Sequence, residues 1–278
     1  TQQADILGCA LASNGDTKHV LLFPEDPTEG FEFGAESLNL ADRLQTPVFL
    51  MTDLDIGMNH RLCRPFKWDE SKAYDRGKVM TAEELEAGKK FGRYLDVDDD
   101  GIPYRTYPGT HPTKGSFFTR GTTKDEFARY SEEGPVYVRN MERLEKKFDT
   151  AKKIVPKAIE RKAKVATKRG VIYFGSTSPA MSEALDQLEE KGVALDALRV
   201  RAYPFGQEVV DFVNNHDVVY FVEQNRDGQL RMLLIDQLGV DPAKIVAILH
   251  YDGTPITARF ITRAIGDHLA PPRRMAAE

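Results

Sequence analysis

Several residue types that mark particular protein classes are scarce in this chain. There are 2 cysteines, 1 tryptophan and 6 histidines. Cys9 and Cys63 exclude a disulfide-dense secreted scaffold, and they are too few to ligate an iron–sulfur cubane within this chain. Both read as small core residues rather than nucleophiles. The histidines (His19, His60, His111, His216, His250 and His268) form no His-x-x-x-His pair, so no metal ligands are assigned here. The lone Trp68 reads as a packing group. No apolar run approaches the roughly 20 residues needed to cross a bilayer, and residues 1–11 lack the basic start and apolar stretch of a signal peptide. Neither charge dominates: 38 Lys and Arg face 43 Asp and Glu, a net charge of -5. That balance argues against nucleic acid or an anionic membrane as a partner. A reducing cytoplasm is the expected setting.

The remaining composition is that of a globular protein: 41% hydrophobic and 29% charged over 278 residues, enough for one large domain or two ordinary ones. The chain opens at Thr1 in a helical pattern (Ile6, Leu7, Ala10, Leu11), which suggests a processed product or a piece of a longer polypeptide. Val20–Phe23 reads as a strand stopped by Pro24. A helix capped by Thr28 follows over Phe31–Leu44, with Ala35, Leu38 and Ala41 on one side. Pro47–Met51 is a second apolar strand that ends in polar Thr52–Asp55. Strand, helix, strand with continuous apolar strands is the pattern of a buried parallel sheet, whose ligands sit outside the carboxyl ends.

Residues 60–165 change character. They are rich in Gly, Pro, Tyr, Lys and Asp. Thr81 and Glu84 form a capping box for a short helix over Thr81–Lys90. Arg139–Lys168 reads as one long charged helix with Met141, Leu144, Phe148, Ile154 and Val155 as its apolar side. From Gly170 regular alternation returns: strands at Val171–Phe174, Leu198–Tyr203, Val218–Glu223 and Ile245–Leu249, and helices at Pro179–Lys191, Gln207–Asn214 and Gln229–Leu238. The whole is α/β.

Four stretches could carry chemistry. Gly175-Ser176-Thr177-Ser178 joins a strand to a helix; its amides could take a phosphate or carboxylate, though a Ser-capped turn explains it as well. Asp96–Gly101 matches half a calcium loop. Its twelfth position is Tyr107 where a bidentate Glu belongs, so an acidic turn is the better reading. Glu223–Gln229 reads as a turn and helix cap able to bond a neighbouring loop. Thr119–Glu126 combines Gly121, three hydroxyls, Arg120, Lys124 and Asp125, charges that could meet an anionic substrate.

Longer strings in this sequence are familiar. Leu22-Phe23-Pro24-Glu25-Asp26-Pro27-Thr28-Glu29, Leu40-Ala41-Asp42-Arg43-Leu44 and Thr52-Asp53-Leu54-Asp55-Ile56-Gly57-Met58 resemble the alpha chain of the 2-oxoacid:ferredoxin oxidoreductases, most closely the 2-oxoglutarate enzyme. Asp98–Thr106, Pro108–Pro112, Tyr203-Pro204-Phe205, Val222-Glu223-Gln224-Asn225 and Gly228-Gln229-Leu230 continue the resemblance in order. It implies a carboxy-terminal portion of that chain. Residues 1–60 would be the second half of a thiamine-diphosphate pyrimidine-binding domain. Residues 61–169 would be an irregular linker with an active-site loop, and 170–278 a transketolase C-terminal-like domain.

The implied reaction converts 2-oxoglutarate and coenzyme A to succinyl-CoA and CO2, with electrons passing to ferredoxin; the reverse carboxylation is also open to the family. The implied cofactors are thiamine diphosphate, Mg2+ and a 4Fe–4S cluster. The last two would be held by a beta subunit, and a further upstream gamma/alpha polypeptide would complete the assembly. By the same resemblance Asp125 and Lys124 would be catalytic, on a loop that closes over the site. Thr1, Gln2, Gln3 and Arg120 would bind substrate, and Glu29, Phe31, Asp55 and Met58 the cofactor. Two other readings remain open: a non-catalytic assembly subunit, and a lipoamide-linked dehydrogenase chain of the beta type.

Overall fold

The computed structural model describes residues 3–13 and 15–270; Thr1 and Gln2, two of the expected substrate contacts, lie outside them. The chain is mixed α/β, with two sheets. The first takes β1 (Val20–Leu22), β2 (Val48–Leu50) and, from much later in the chain, β6 (Ala202–Tyr203), in the order β2-β1-β6. The second takes β3 (Ile159–Arg161), β4 (Arg169–Phe174), β5 (Asp196–Val200), β7 (Val218–Glu223) and β8 (Ile245–Leu249), in the order β3-β5-β4-β7-β8. β4, β5, β7 and β8 are parallel, and β3 runs antiparallel along the edge.

The parallel strands are nearly continuous apolar runs because both faces of their sheet are covered. Ile172, Phe174, Leu198, Val219 and Phe221 pack against α7 (Gln207–Asn215) and α8 (Gln229–Leu238). Their neighbours Val171, Ala197, Tyr220 and Val222 point the other way, toward α6 (Ser178–Glu190) and α9 (Ala258–Leu269). The alternation is the strand period of two made visible.

β5 and β6 determine how the sheets meet. The expected strand Leu198–Tyr203 is broken at Arg201, and the two halves serve different sheets. β6 pairs antiparallel with β1, placing Leu21 opposite Tyr203. The amide of Phe23, just past β1, donates to the Arg201 carbonyl at 2.8 Å. The carboxyl end of β1 therefore abuts that of β5, and the sheets meet end to end. One apolar cluster spans the junction, with Ile6, Leu21 and Phe23 beside Phe174, Tyr203 and Phe205.

Other elements depart from the sequence reading for local reasons. Helix α2 runs Pro27–Leu44, and its cap is Asp26, whose carboxylate accepts from the Glu29 amide at 2.8 Å; Thr28 lies inside the first turn. Pro27 at the first position starts the helix because its missing N–H has no partner to lose there. The buried face of α2 is Phe33, Leu40 and Leu44, whereas Leu38 is exposed. Helix α1 is short (Ile6–Ala10), and α3 (Leu54–Met58) follows β2 where polar loop was expected, started by the Asp53 side chain. The expected capping box is present in α4 (Ala82–Glu86). Helix α5 spans Gly134–Ile154; it begins earlier and stops earlier than expected, because Val155-Pro156 cannot continue it and β3 follows. Cys63 is exposed rather than in the core. No described helix is long and apolar enough to cross a membrane.

Candidate functional site at the junction of the sheets

The loops after β1, β2, β4 and β7 converge where the sheets meet, and their polar side chains form two buried groups. In the first, Asp53 is the centre. It caps α3 by accepting from the amides of Asp55 and Ile56, each at 3.1 Å. Its other carboxylate oxygen accepts from Gln3 Nε2 at 3.0 Å and Ser176 Oγ at 2.5 Å. Gln224 Nε2 donates to Ser176 Oγ at 2.8 Å and to Thr177 Oγ1 at 3.2 Å. The backbone amide of Gln3 donates to the Gln224 carbonyl at 3.0 Å, which closes the ring. Gly175 adopts φ 58°, and a Cβ there would come within 3.1 Å of Gln3 Nε2, so this turn needs glycine. The turn has no side-chain cap; Ser176 spends its hydroxyl on Asp53.

The Glu223–Gln229 stretch both caps and bridges. Glu223 is fully buried and accepts from the amides of Leu230 and Arg231, at 2.9 and 2.8 Å, and from Asn225 Nδ2 at 2.8 Å. Burial pushes its carboxyl above the usual range, against those three donors. Gln229 reaches across to the first helix, accepting from the Leu7 amide at 3.0 Å and donating to the Ala4 carbonyl at 2.7 Å.

The second group is ionic. Arg199 in β5 and Arg201 at the break before β6 both bond Glu29. Arg199 Nη1 and Nη2 lie 2.6 and 3.1 Å from its two oxygens, and Arg201 Nε lies 2.7 Å away. Glu25 adds a 3.2 Å ion pair to Arg199, and its amide donates to Glu29 at 2.9 Å. Burial pushes the Glu29 carboxyl up, but the Arg199 hydrogen bond and charge, the Glu25 amide and Arg201 outweigh it and hold the group below the usual carboxylate range.

The side chains of the remaining expected site residues have other partners. Asp55 pairs with Arg61 at 3.3 Å. Phe31 stacks on Phe66 with ring centroids 4.9 Å apart and touches the edge of Trp68, which is itself half-exposed. Met58 is 76% exposed. Asp125 is tied into its own turn, accepting from the amides of Phe127 and Arg129 at 2.9 Å each. Arg120 lies 5.9 Å from the Tyr130 ring centre. Lys124 lines a cavity of about 360 Å3 against α5, whereas Gln3 and Asp53 border a cavity of only about 10 Å3, room for a single water. The structure thus brings Gln3 and Asp53 together and leaves Lys124 in a different cavity.

Glu29, Phe31, Asp55 and Met58 do not converge on one cavity, and Glu29 has its oxygens engaged by arginines. No group of three or more His, Cys, Asp or Glu among the described residues is placed to hold a metal ion. The acidic turn is neutralised from within: Lys78 lies 2.8 Å from both Asp98 and Asp100, and Lys146 pairs with Asp99. These residues alone do not fit a thiamine diphosphate–Mg2+ site.

Arg199 and Arg201 went unremarked in the sequence. Their signal was there: two charges at the strand period inside Ala197–Tyr203, where only paired charges are tolerated.

The two-sheet arrangement is shared with a solved structure. Its fold matches that of the 2-oxoglutarate:ferredoxin oxidoreductase from Magnetococcus marinus with a TM-score of 0.82 at 18% identity, over 97% of this chain and 45% of that one. No family model matches the chain. By sequence the chain is similar, over nearly its whole length, to 2-oxoacid:ferredoxin oxidoreductase alpha subunits. It is 30% identical over 275 residues to that of oxidoreductase 2 of Aeropyrum pernix, covering 95% of this chain and 40% of the relative. It is 25% identical over 261 residues to that of Saccharolobus solfataricus, again covering 40% of the relative. The 2-oxoglutarate synthase subunit KorA of Methanocaldococcus jannaschii is 24% identical over 253 residues. The chain spans about 40% of the length of the first two relatives.

Proposed function

We propose that this chain forms part of a 2-oxoacid:ferredoxin oxidoreductase, contributing to the conversion of 2-oxoglutarate and coenzyme A to succinyl-CoA and CO2 with electron transfer to ferredoxin. The observation that carries the reading is the similarity to alpha subunits across 95% of the chain. The choice of 2-oxoglutarate is supported by the M. jannaschii relative and by the M. marinus structure, which holds 2-oxoglutarate, coenzyme A and succinyl-CoA. Thiamine diphosphate, Mg2+ and the 4Fe–4S cluster belong in this reading to a beta subunit, in keeping with the two cysteines here. The division at residues 60 and 170 is part of the same proposal. It gains support from the separate origins of most strands: β1 and β2 come from before residue 60 and β5, β7 and β8 from after 170, whereas β6 crosses to the first sheet and β3 joins the second from the linker.

The residues of this chain act in the proposal by position. Asp53, Ser176 and Gln224 hold the strand ends together, and Glu29 with Arg199 and Arg201 fixes the loop after β1. α3 and the segment beyond it then face outward, with Leu54 and Met58 exposed, where another chain can complete the catalytic cavity. The assay is 2-oxoglutarate- and coenzyme A-dependent reduction of ferredoxin, with iron content, on the natively purified assembly and on the isolated chain. Turnover and iron only in the assembly are expected. Turnover by the isolated chain, or an iron-free assembly without 2-oxoacid-dependent electron transfer, would overturn the reading.

A further inference from the structure

The ring of Tyr94 is surrounded by cations. The guanidinium carbons of Arg93 and Arg143 and the ammonium of Lys124 lie 5.3, 5.8 and 5.4 Å from its centre. Another cation, Lys147, lies one helical turn along α5 from Arg143, away from the ring contacts, and donates to the Gln45 carbonyl at 3.4 Å. None of the four makes an ion pair with a carboxylate among the described residues, although Arg139, Lys146 and Lys152 on the same helix are each paired. Arg143 donates through Nη1 to the Gly101 carbonyl at 3.1 Å, and its Nε is buried without a partner. Burial, together with mutual repulsion, depresses Arg143, and brings Lys147 down to about 8.

Cation–π attraction is weak, and the four half-buried like charges repel one another. One carboxylate acts on the cluster from nearby: Asp96, whose charge favours the charged form of Arg143, accepts from the amides of Asp100 and Gly101 and pairs with Lys146 at 3.8 Å; Asp16 is exposed at the cavity rim. The cavity in front of Tyr94, about 360 Å3, is bordered by Lys124, Arg143, Thr122 and Thr123. Met141 and Leu144 add an apolar wall and Asp16 one carboxylate at the rim, against the two cations Lys124 and Arg143.

We propose that this chamber binds a phosphate-class anion, held by Arg143 and Lys124 with the hydroxyls of Thr122 and Thr123. Charge arithmetic selects the class. A carboxylate brings a single negative charge, whereas a phosphate monoester brings about −1.5 to −2 at neutral pH, along with three acceptor oxygens for a guanidinium and two hydroxyls. Free phosphate and the phosphate end of a larger molecule share this chemistry, and the test separates them. The site draws on no residue of the sheet junction, although Lys124 is also one of the loop residues that the family resemblance singles out.

The experiment is equilibrium dialysis of radiolabelled inorganic phosphate against the native assembly, comparing wild type with Arg143→Gln and Lys124→Gln. Lys124 makes no side-chain hydrogen bond among the described residues, so its replacement keeps the fold even if Arg143→Gln loosens the contact with Gly101. The wild type is expected to bind phosphate at a site that each variant weakens about tenfold or more, the loss of one charge-assisted contact. Displacement of the label by coenzyme A would assign the chamber to the phosphate end of a larger molecule, and persistence of the label to a free anion. Equal phosphate binding in wild type and both variants, or half-saturation only above about 10 mM, would overturn the proposal.

Discussion

Asp53 takes four donors from three separate parts of the chain: two amides of its own helix, Gln3 before it and Ser176 far beyond it. Asp53→Asn keeps the shape but turns one acceptor into a donor facing Gln3 or Ser176. A loss of about 1–3 kcal/mol is expected, the cost of an unsatisfied buried polar group. Urea unfolding of the two proteins checks it; equal midpoints would mean the network is slack. Glu29 yields a pH prediction. Its folded-state carboxyl lies below the ordinary value, so its contribution is complete above the unfolded value, about 4.3, and is lost as pH falls through the depressed one. Glu29→Gln should cost about 3 kcal/mol at pH 7 because it leaves Arg199 with only Glu25 as a charge partner. The deficit should shrink as wild type is acidified. Thermal unfolding from pH 7 to pH 3 gives both numbers, and a constant gap across that range would contradict the assignment.

At the scale of elements, the acidic turn before residue 102 is a docking piece for α5 rather than an ion site. Gly101 sits at φ 78°, and a Cβ there would meet the backbone of Lys147 and lie 2.6 Å from the Arg143 carbonyl. Gly101→Ala should therefore lift the turn from the helix and cost more than about 2 kcal/mol, strain and lost contact together; calorimetry checks this, and a change below about 0.5 kcal/mol would show that the turn can shift freely. The legibility of elements follows their burial. The sequence reading placed β7, α8 and β8 at their observed bounds, since each is an apolar run between turn residues. β3 carried no such signal: Ile159, Glu160 and Arg161 are all exposed on an edge. α9 had one, Thr257 as cap with Ile261 and Ile265 at helical spacing, and it went unread. The site was legible only in pieces. Thr52–Asp55, Gly175–Ser178 and Glu223–Gln229 stand out as polar stretches at element ends, and Gln3 only through the family resemblance. Their meeting depends on how β6 folds back onto β1, a pairing between residues far apart that no local pattern encodes.

For the molecule as a whole, the most exposed stretch follows α3. Leu62 is fully open, and Phe66 and Trp68 are half-exposed although they stack with Phe31. Trp68 is the sole tryptophan, so its fluorescence reports on this surface alone. In the isolated chain it should emit near the wavelength of hydrated indole and be quenched by acrylamide; a blue-shifted, protected signal would mean that the segment is covered. The join between the sheets has a further consequence for motion. Prising them apart like a clamshell would have to unzip β1 from β6, break the Phe23–Arg201 tie and leave the Glu29 carboxylate without its guanidinium partners. These ties resist separation of the two sheets.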